Sequence, residues 1–170
     1  MIVLTGPEST GKSTLAQALA AHYQVPYVPE MARTYLHTGR AYGPADLLNI
    51  MGLQMDAEGA ARLAGSAIIA DTDLQVLSIW WQEKYGPLPR RLAQAYAGQC
   101  GRHYLLCVPD IPWQPDPLRE NPKDRARLFR LYETDLQRRG LAYTKIFGLQ
   151  QRRLRICIET IDALGAFKSA

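Results

Sequence analysis

The sequence predicts a single domain of the α/β class, built on a mostly parallel sheet. Short apolar runs alternate with segments of helical periodicity along the chain, and no internal repeat or Gly/Ser-rich linker interrupts them. A glycine-rich loop joins the first apolar run to the first helical segment. Strands that alternate with helices run parallel, and the helices cover both faces of the sheet. The 170 residues suit one domain with a substantial core, and we expect residues 1–170 to form it.

Five short apolar runs are predicted to be the strands of this sheet. They are Met1–Thr5, Gln24–Val28, Ser66–Ala70 (which ends at Asp71), His103–Val108 and Ala142–Phe147. Helices are predicted between them, where apolar residues recur at helical spacing. Their ranges are Lys12–His22, Glu30–His37, Pro44–Leu63, Leu74–Lys84 and Arg90–Ala97, with a further helix after Asn121 and a last one containing Leu154, Cys157 and Ile161.

The segment Pro109–Pro122 is rich in proline and predicts a long irregular loop. Loops of this length inside a compact domain are usually functional. Asn121 followed by Pro122 is typical of a helix N-cap with proline at the first helical position. We therefore expect a lid segment at about residues 109–127.

Charge and hydropathy limit the classes of partner. The formal net charge is +4 and the sequence pI about 9.0, but Lys and Arg do not cluster in runs. This excess favours a small anionic ligand over nucleic acid. No apolar run approaches the roughly 20 residues of a membrane helix, and the first strand begins at Met1 without a targeting segment. We expect a soluble, cytoplasmic protein, and nothing in the sequence specifies an oligomer.

The segment GPESTGKST, residues 6–14, fits the pattern G-x4-G-K-[ST] between a strand and a helix. Its glycines let backbone N–H groups surround a phosphate at a helix N-terminus. This predicts a P-loop NTPase with a three-layer α/β/α fold that binds ATP and Mg²⁺. The predicted nucleotide-binding residues are Gly6, Glu8, Ser9, Thr10, Gly11, Lys12, Ser13 and Thr14. Lys12 is expected to reach the β- and γ-phosphates, and the Ser13 hydroxyl to bind Mg²⁺.

Carboxylates that follow predicted strands are candidates for metal binding and catalysis. Asp71 stands where a P-loop protein carries its second Mg²⁺ ligand. Asp73 can face the substrate, or both aspartates can cap the next helix. Glu30 follows the second strand and is a candidate base for the attacking hydroxyl. Arg33 can hold substrate or phosphate, or it can form a surface ion pair with Glu30.

The lid segment carries Asp110, Trp113, Asp116 and Arg119, and Arg125 follows it. Closure of such a segment would exclude water and bring Arg119 and Arg125 to the transferring phosphoryl group. The alternative is a solvated basic helix face.

Several longer motifs resemble the nicotinamide riboside kinase domain of NadR-type proteins. These are GPESTGKSTLAQALA, VPEMARTYL, IIADTD and PDIPWQPDPLRENPKDRARLF, and together they extend over nearly the whole chain. The resemblance implies five parallel strands in the order 2-3-1-4-5. It also implies phosphorylation of nicotinamide riboside by ATP in NAD biosynthesis, with Glu30 or Asp71 near the 5′-hydroxyl. NadR-type proteins usually carry an adenylyltransferase domain ahead of the kinase; no such domain precedes Gly6 here, so a free-standing kinase or an excised domain is expected.

Nicotinamide riboside carries a pyridinium charge, which favours aromatic faces and carboxylates in its site. The groups that could supply these are Trp80, Trp81, Tyr85, Trp113, Asp73 and Asp110. Each aromatic side chain can equally pack in the core.

Two alternative functions stay open: a kinase of another nucleoside or small metabolite, and a P-loop ATPase or regulatory switch without a small-molecule acceptor.

Overall fold

The computed structural model describes residues 1–36, 41–116 and 119–167. Five parallel strands form one sheet in the order β2-β3-β1-β4-β5. The strands are β1 Ile2–Thr5, β2 Tyr27–Val28, β3 Ile69–Asp71, β4 His103–Cys107 and β5 Tyr143–Ile146. The helices are α1 Lys12–Tyr23, α2 Met31–Tyr35, α3 Pro44–Ala64, α4 Leu74–Tyr85, α5 Arg90–Ala97, α6 Arg125–Arg138 and α7 Gln150–Ala163. The predicted fold class and the implied strand order are confirmed.

Side chains of β1 point alternately to two cores, as the strand period of two requires. Ile2 and Leu4 pack in one core with α1 and α7, whereas Val3 packs in the other with α4 and α6. A third cluster joins α2, α3, α4 and α5 beyond the sheet. The domain therefore has the predicted three layers. No helix within the described ranges is long and apolar enough to cross a membrane.

Several boundaries differ from the prediction, among them the starts of β2, β3 and α6. Strand β2 begins only at Tyr27, after Pro26, which lacks an N–H and offers its carbonyl to Ile69 N at 3.1 Å. Helix α6 begins at Arg125, so the predicted N-cap at Asn121 is wrong. The N–H groups of Asn121 are drawn instead to a carboxylate of the P-loop. The end of the predicted helix at His37, and residues 117 and 118 of the lid segment, lie outside the described residues.

A buried ion cluster ties α3 to β4 and the start of α4. The Arg102 guanidinium lies 2.6 Å from Glu58 Oε2 and 3.3 Å from Asp73 Oδ2. All three side chains are almost fully buried. Arg102 is thus the buried cation that the two carboxylates share.

Replacing Arg102 by methionine is expected to lower the free energy of unfolding by about 3–5 kcal/mol, because two buried carboxylates would lose the buried cation that they share. The matched control is Arg62→Met, since Arg62 also contacts Glu58 but its side chain is 50% exposed. That variant is expected to change stability by only about 0.5 kcal/mol. Urea denaturation of both variants measures the difference, and similar losses would contradict this role of Arg102.

Candidate active site

The P-loop runs from the end of β1 to the start of α1 and depends on its glycines. Gly6 has φ 122°, and a Cβ placed there would lie 2.8 Å from the carbonyl oxygen of Cys107 in β4. Gly11, with φ 78°, is the N-cap of α1. The Lys12 ammonium donates to the carbonyls of Gly6 at 2.9 Å and Pro7 at 2.8 Å. The loop therefore curls around the position of the lysine charge.

A cavity of about 540 Å³ opens in front of this loop. All eight predicted nucleotide-binding residues line it. Its far wall includes Glu30, Arg33 and Trp80, and part of the lid segment, including Arg119, lines it as well. Such a volume is typical of sites for small molecules and cofactors.

Glu30 precedes α2 and faces this cavity. Its Oε2 accepts from Arg33 Nε at 3.0 Å, and Arg33 reaches on to Asp116 Oδ2 in the lid segment at 3.0 Å. Burial raises the pKa of the Glu30 carboxyl, Lys12 opposes that shift and Asp71 adds to it. Glu30 is thus within electrostatic range of both the P-loop lysine and the strand-end aspartate.

Asp71 is the last residue of β3. It pairs in register with Leu4 of β1, and the P-loop begins two residues after Leu4, so Asp71 lies beside the start of the P-loop. Its side chain is buried, and its Oδ1 has no hydrogen-bond partner among the described residues. A buried carboxylate oxygen normally has a partner. A hard cation with oxygen ligands, such as Mg²⁺, would provide one.

Asp73 takes a different direction from Asp71. The residue between them, Thr72, has φ 72°, so the chain turns sharply there. One Asp73 oxygen caps α4 by accepting from Gln75 N at 2.9 Å. The other accepts from Tyr104 Oη at 2.8 Å and faces Arg102. Burial raises the pKa of Asp73 to about 6 although Arg102 opposes the shift. The structure favours the capping interpretation of Asp73.

The lid segment is attached to the P-loop through Glu8. The Glu8 carboxylate accepts from the backbone N–H groups of Glu120 at 2.9 Å and Asn121 at 3.1 Å, and from Asn121 Nδ2 at 3.3 Å. Ser9 Oγ accepts from Gln114 N at 2.8 Å. Two side chains predicted to bind nucleotide therefore also hold the segment that covers it.

Replacing Glu8 by alanine is expected to raise the rate of tryptic cleavage within the lid segment about tenfold. The reason is that charge-assisted hydrogen bonds worth about 1.5 kcal/mol or more would be lost. Cleavage after Lys123, timed by mass spectrometry, measures the effect. Glu133→Ala is the control. Glu133 on α6 pairs with Lys145 on β5, so this change removes a glutamate that does not contact the lid segment through that pair. An unchanged cleavage rate in Glu8→Ala would contradict the attachment.

The two predicted lid arginines occupy different positions. Arg119 lines the cavity and donates to the carbonyl of Gln114. Arg125 instead donates to the backbone carbonyls of Ser9 at 3.1 Å and Ile111 at 3.0 Å. Arg119 is thus placed to meet a ligand, and Arg125 to support the P-loop backbone.

Arg153 is a site residue whose role the sequence reasoning missed. It lies on α7 in the buried stripe with Cys157 and Ile161, at i, i+4 and i+8, and is 2% exposed. It donates to the carbonyls of Thr10 at 2.9 Å, Val108 at 2.7 Å and Gly148 at 2.7 Å. An arginine on an apolar helix stripe was the available signal, because a buried guanidinium requires several acceptors.

Asp110 belongs to the same arrangement. Its carboxylate pairs with Arg153 and accepts from Gly148 N at 2.6 Å. Asp110 therefore connects the end of β4 to the loop after β5, which differs from the predicted contact with substrate. Leu149, Gln150 and Arg153, which follow β5 in the chain, line the main cavity.

The four aromatic residues predicted to contact the substrate occupy different positions in the structure. Within the described residues, Trp80 lines the cavity, and its Nε1 donates to Tyr42 Oη at 3.2 Å. Trp81 is buried and donates to the carbonyl of Pro87 at 3.1 Å, with the Tyr85 ring packed edge-on at 5.3 Å. Trp113 lies 5.7 Å from the Arg125 guanidinium. Of these four, Trp80 is the one that lines the cavity.

A family model described as an AAA domain matches residues 1–153. The chain belongs to this AAA domain family. No curated protein matches the sequence.

Solved structures give the fold of this AAA domain family member in more detail. A NadR protein in complex with NR superposes with a TM-score of 0.74 at 19% identity, over 96% of this chain and 51% of that one. A NadR protein in complex with NAD and AMP-PNP gives 0.72 at 18% identity, over 99% of this chain and 50% of that one. The chain thus spans about half the length of these proteins. Thymidylate kinase from Ehrlichia chaffeensis gives 0.64 at 11% identity, over 96% and 97% of the two chains. The fold is that of the P-loop kinases.

Proposed function

We propose that the protein is an ATP-dependent kinase that phosphorylates a hydroxyl of a small molecule, with nicotinamide riboside as the first candidate acceptor. One observation carries the proposal. The same cavity presents the P-loop lysine Lys12, the carboxylate Glu30 and the ring of Trp80. A phosphate donor at the P-loop would therefore face an acceptor held between Glu30 and Trp80.

The residues have distinct roles in this reaction. The P-loop N–H groups and Lys12 hold the phosphates of the donor and stabilise the negative charge of the transferring group. The acceptor oxygen forms a bond to the γ-phosphorus while the bond from that phosphorus to the ADP oxygen breaks. Glu30 takes the proton of the acceptor hydroxyl, because it lines the cavity and burial raises the pKa of its carboxyl, which makes the carboxylate a stronger base.

The residues at the P-loop also fit a magnesium ion. The Ser13 hydroxyl lines the cavity, and Asp71 has a buried oxygen without a partner among the described residues. These two groups would hold Mg²⁺, and Asp71 therefore serves the metal while Glu30 serves the acceptor. The ion would neutralise charge on the β- and γ-phosphates.

The ring of Trp80 favours a flat, cationic acceptor. The hydrogen bond to Tyr42 restricts the orientation of its ring, and Trp80 lines the cavity. A pyridinium ring stacked on indole gains both dispersion and cation–π attraction. The likeness to a NadR protein in complex with NR supports this choice of acceptor.

The test is ADP release from Mg·ATP with nicotinamide riboside, with common ribo- and deoxyribonucleosides, and without acceptor. Stimulation by nicotinamide riboside, with appearance of nicotinamide mononucleotide, is expected. Stimulation by another nucleoside alone would assign a different acceptor to the same site. Equal release with and without every acceptor would overturn the proposal in favour of an ATPase or switch.

A further inference from the structure

A second, much smaller cavity adjoins the main one behind Glu30. It measures about 20 Å³ and extends between α2, α3 and α4. Four residues line both cavities: Glu30, Ala32, Val76 and Trp80. None of the described P-loop residues lines the small cavity. It therefore lies on the acceptor side of the site, away from the phosphates, and its volume admits a single non-hydrogen atom.

The small cavity is lined by a polar side chain with an unused donor. Gln54 on α3 is 4% exposed and lines this cavity. Its Oε1 accepts from Met31 N at 3.1 Å, which determines the orientation of the amide. Its Nε2 has no hydrogen-bond partner among the described residues. A buried N–H group without a partner is destabilising, so this amide is expected to meet an acceptor atom in the functional state.

The other lining groups restrict which atom this can be. Glu30 lines the same cavity, and its carboxylate would repel an anionic oxygen. It would also accept a hydrogen bond from a neutral donor. A hydroxyl satisfies both sides, because its oxygen accepts from Gln54 and its proton points to a carboxylate. The chain turns sharply beside it, where Thr72 has φ 72°, and such strained backbone occurs at ligand sites.

We propose that this cavity is a subsite for one hydroxyl of the acceptor, other than the one phosphorylated, and that Gln54 recognises that hydroxyl. The inference rests on the proposed kinase function and deepens it. Gln54 would make the enzyme discriminate between acceptors that carry the hydroxyl and analogues that lack it. Sites that hydrogen-bond a substrate hydroxyl reject the analogue without it, because the buried donor is then left unpaired.

Binding of nicotinamide riboside and of its 2′-deoxy and 3′-deoxy analogues, measured by calorimetry, tests the subsite. The wild type is expected to bind the parent at least about tenfold more tightly than one analogue, as one buried hydrogen bond predicts. Gln54→Met is expected to reduce that ratio to near one. Gln82→Met, the same change at an exposed position on α4, is expected to keep the wild-type ratio.

A second readout covers the case in which Gln54→Met fails to fold. The side-chain amide resonances of Gln54 in the wild type are expected to shift with nicotinamide riboside but not with the discriminated analogue. Equal binding of all three compounds, or an unchanged ratio in folded Gln54→Met, would overturn the subsite. Discrimination in binding without ADP release would overturn the kinase function and support the subsite. Failure of all three compounds to bind would overturn nicotinamide riboside as the acceptor and, with it, the subsite.

Discussion

Replacing Lys12 by alanine is expected to lower kcat for phosphoryl transfer by at least about 10²–10³-fold while leaving the fold intact. The loss follows from removing a preorganised positive charge from the transferring phosphoryl group. In the structure the ammonium is held over the P-loop by the carbonyls of Gly6 and Pro7. Both carbonyls belong to the P-loop backbone, so the Lys12 ammonium is positioned at the loop without any bound ligand. Steady-state ADP release with saturating acceptor measures the effect.

The control for this change is Lys145→Ala, which removes an exposed lysine paired with Glu133 on the far edge of the sheet. It is expected to retain wild-type turnover. Circular dichroism and thermal unfolding show whether Lys12→Ala keeps its fold. Turnover at the wild-type rate in a folded Lys12→Ala variant would contradict the assignment of the P-loop as the catalytic phosphate site.

Local patterns in the sequence were sufficient to predict the five strands and the P-loop, whereas the strand order was implied only by the family resemblance. Apolar runs such as His103–Val108 and the helical spacing of Leu15 and Leu19 are encoded over a few residues. The GPESTGKST motif likewise combines its glycines, lysine and serine in one continuous segment. These elements form where predicted because local propensity and the tertiary fold agree.

Contacts between distant segments could not be predicted in this way. Asn121 has the local pattern of an N-cap, yet Glu8, 113 positions away, takes its N–H groups, and α6 begins at Arg125. Asp73 follows a strand end as a catalytic acid would, but Arg102 draws it into a buried cluster. In both cases a charged partner from another element outweighs the local preference, and only the three-dimensional structure reveals the partner.

The position of Glu8 has a consequence for how donor and acceptor are enclosed. Its carboxylate links the P-loop to Glu120, and Glu120 also pairs with Lys84 Nζ at 2.8 Å and accepts from Tyr42 Oη at 2.8 Å. Tyr42 in turn accepts from Trp80 Nε1. A continuous chain of hydrogen bonds therefore runs from the phosphate loop to the ring proposed to hold the acceptor. Such a connection would make lid closure depend on both ends of the cavity.

Replacing Glu30 by glutamine is expected to lower kcat by about 10²–10⁴-fold while changing the KM for ATP little. Glutamine keeps the shape of the side chain and its contact with Arg33 but cannot accept the proton of the hydroxyl. The KM for ATP is expected to be insensitive because Glu30 precedes α2 and is not part of the P-loop. A change confined to the KM for ATP would show that Glu30 does not serve the acceptor.

The pH profile separates Glu30 from Asp71 as the base. Burial raises the pKa of Glu30, so kcat is expected to fall on the acid side at a higher pH than an ordinary carboxyl, with its pKa near 4.3, would produce. A base works only when deprotonated, so activity is lost as the pH falls through this raised pKa. Asp71→Asn, by contrast, is expected to raise the Mg²⁺ concentration needed for activity and to keep that acid limb. If Asp71→Asn abolished the limb and Glu30→Gln preserved it, the two roles would be exchanged, because the limb belongs to whichever carboxylate takes the proton.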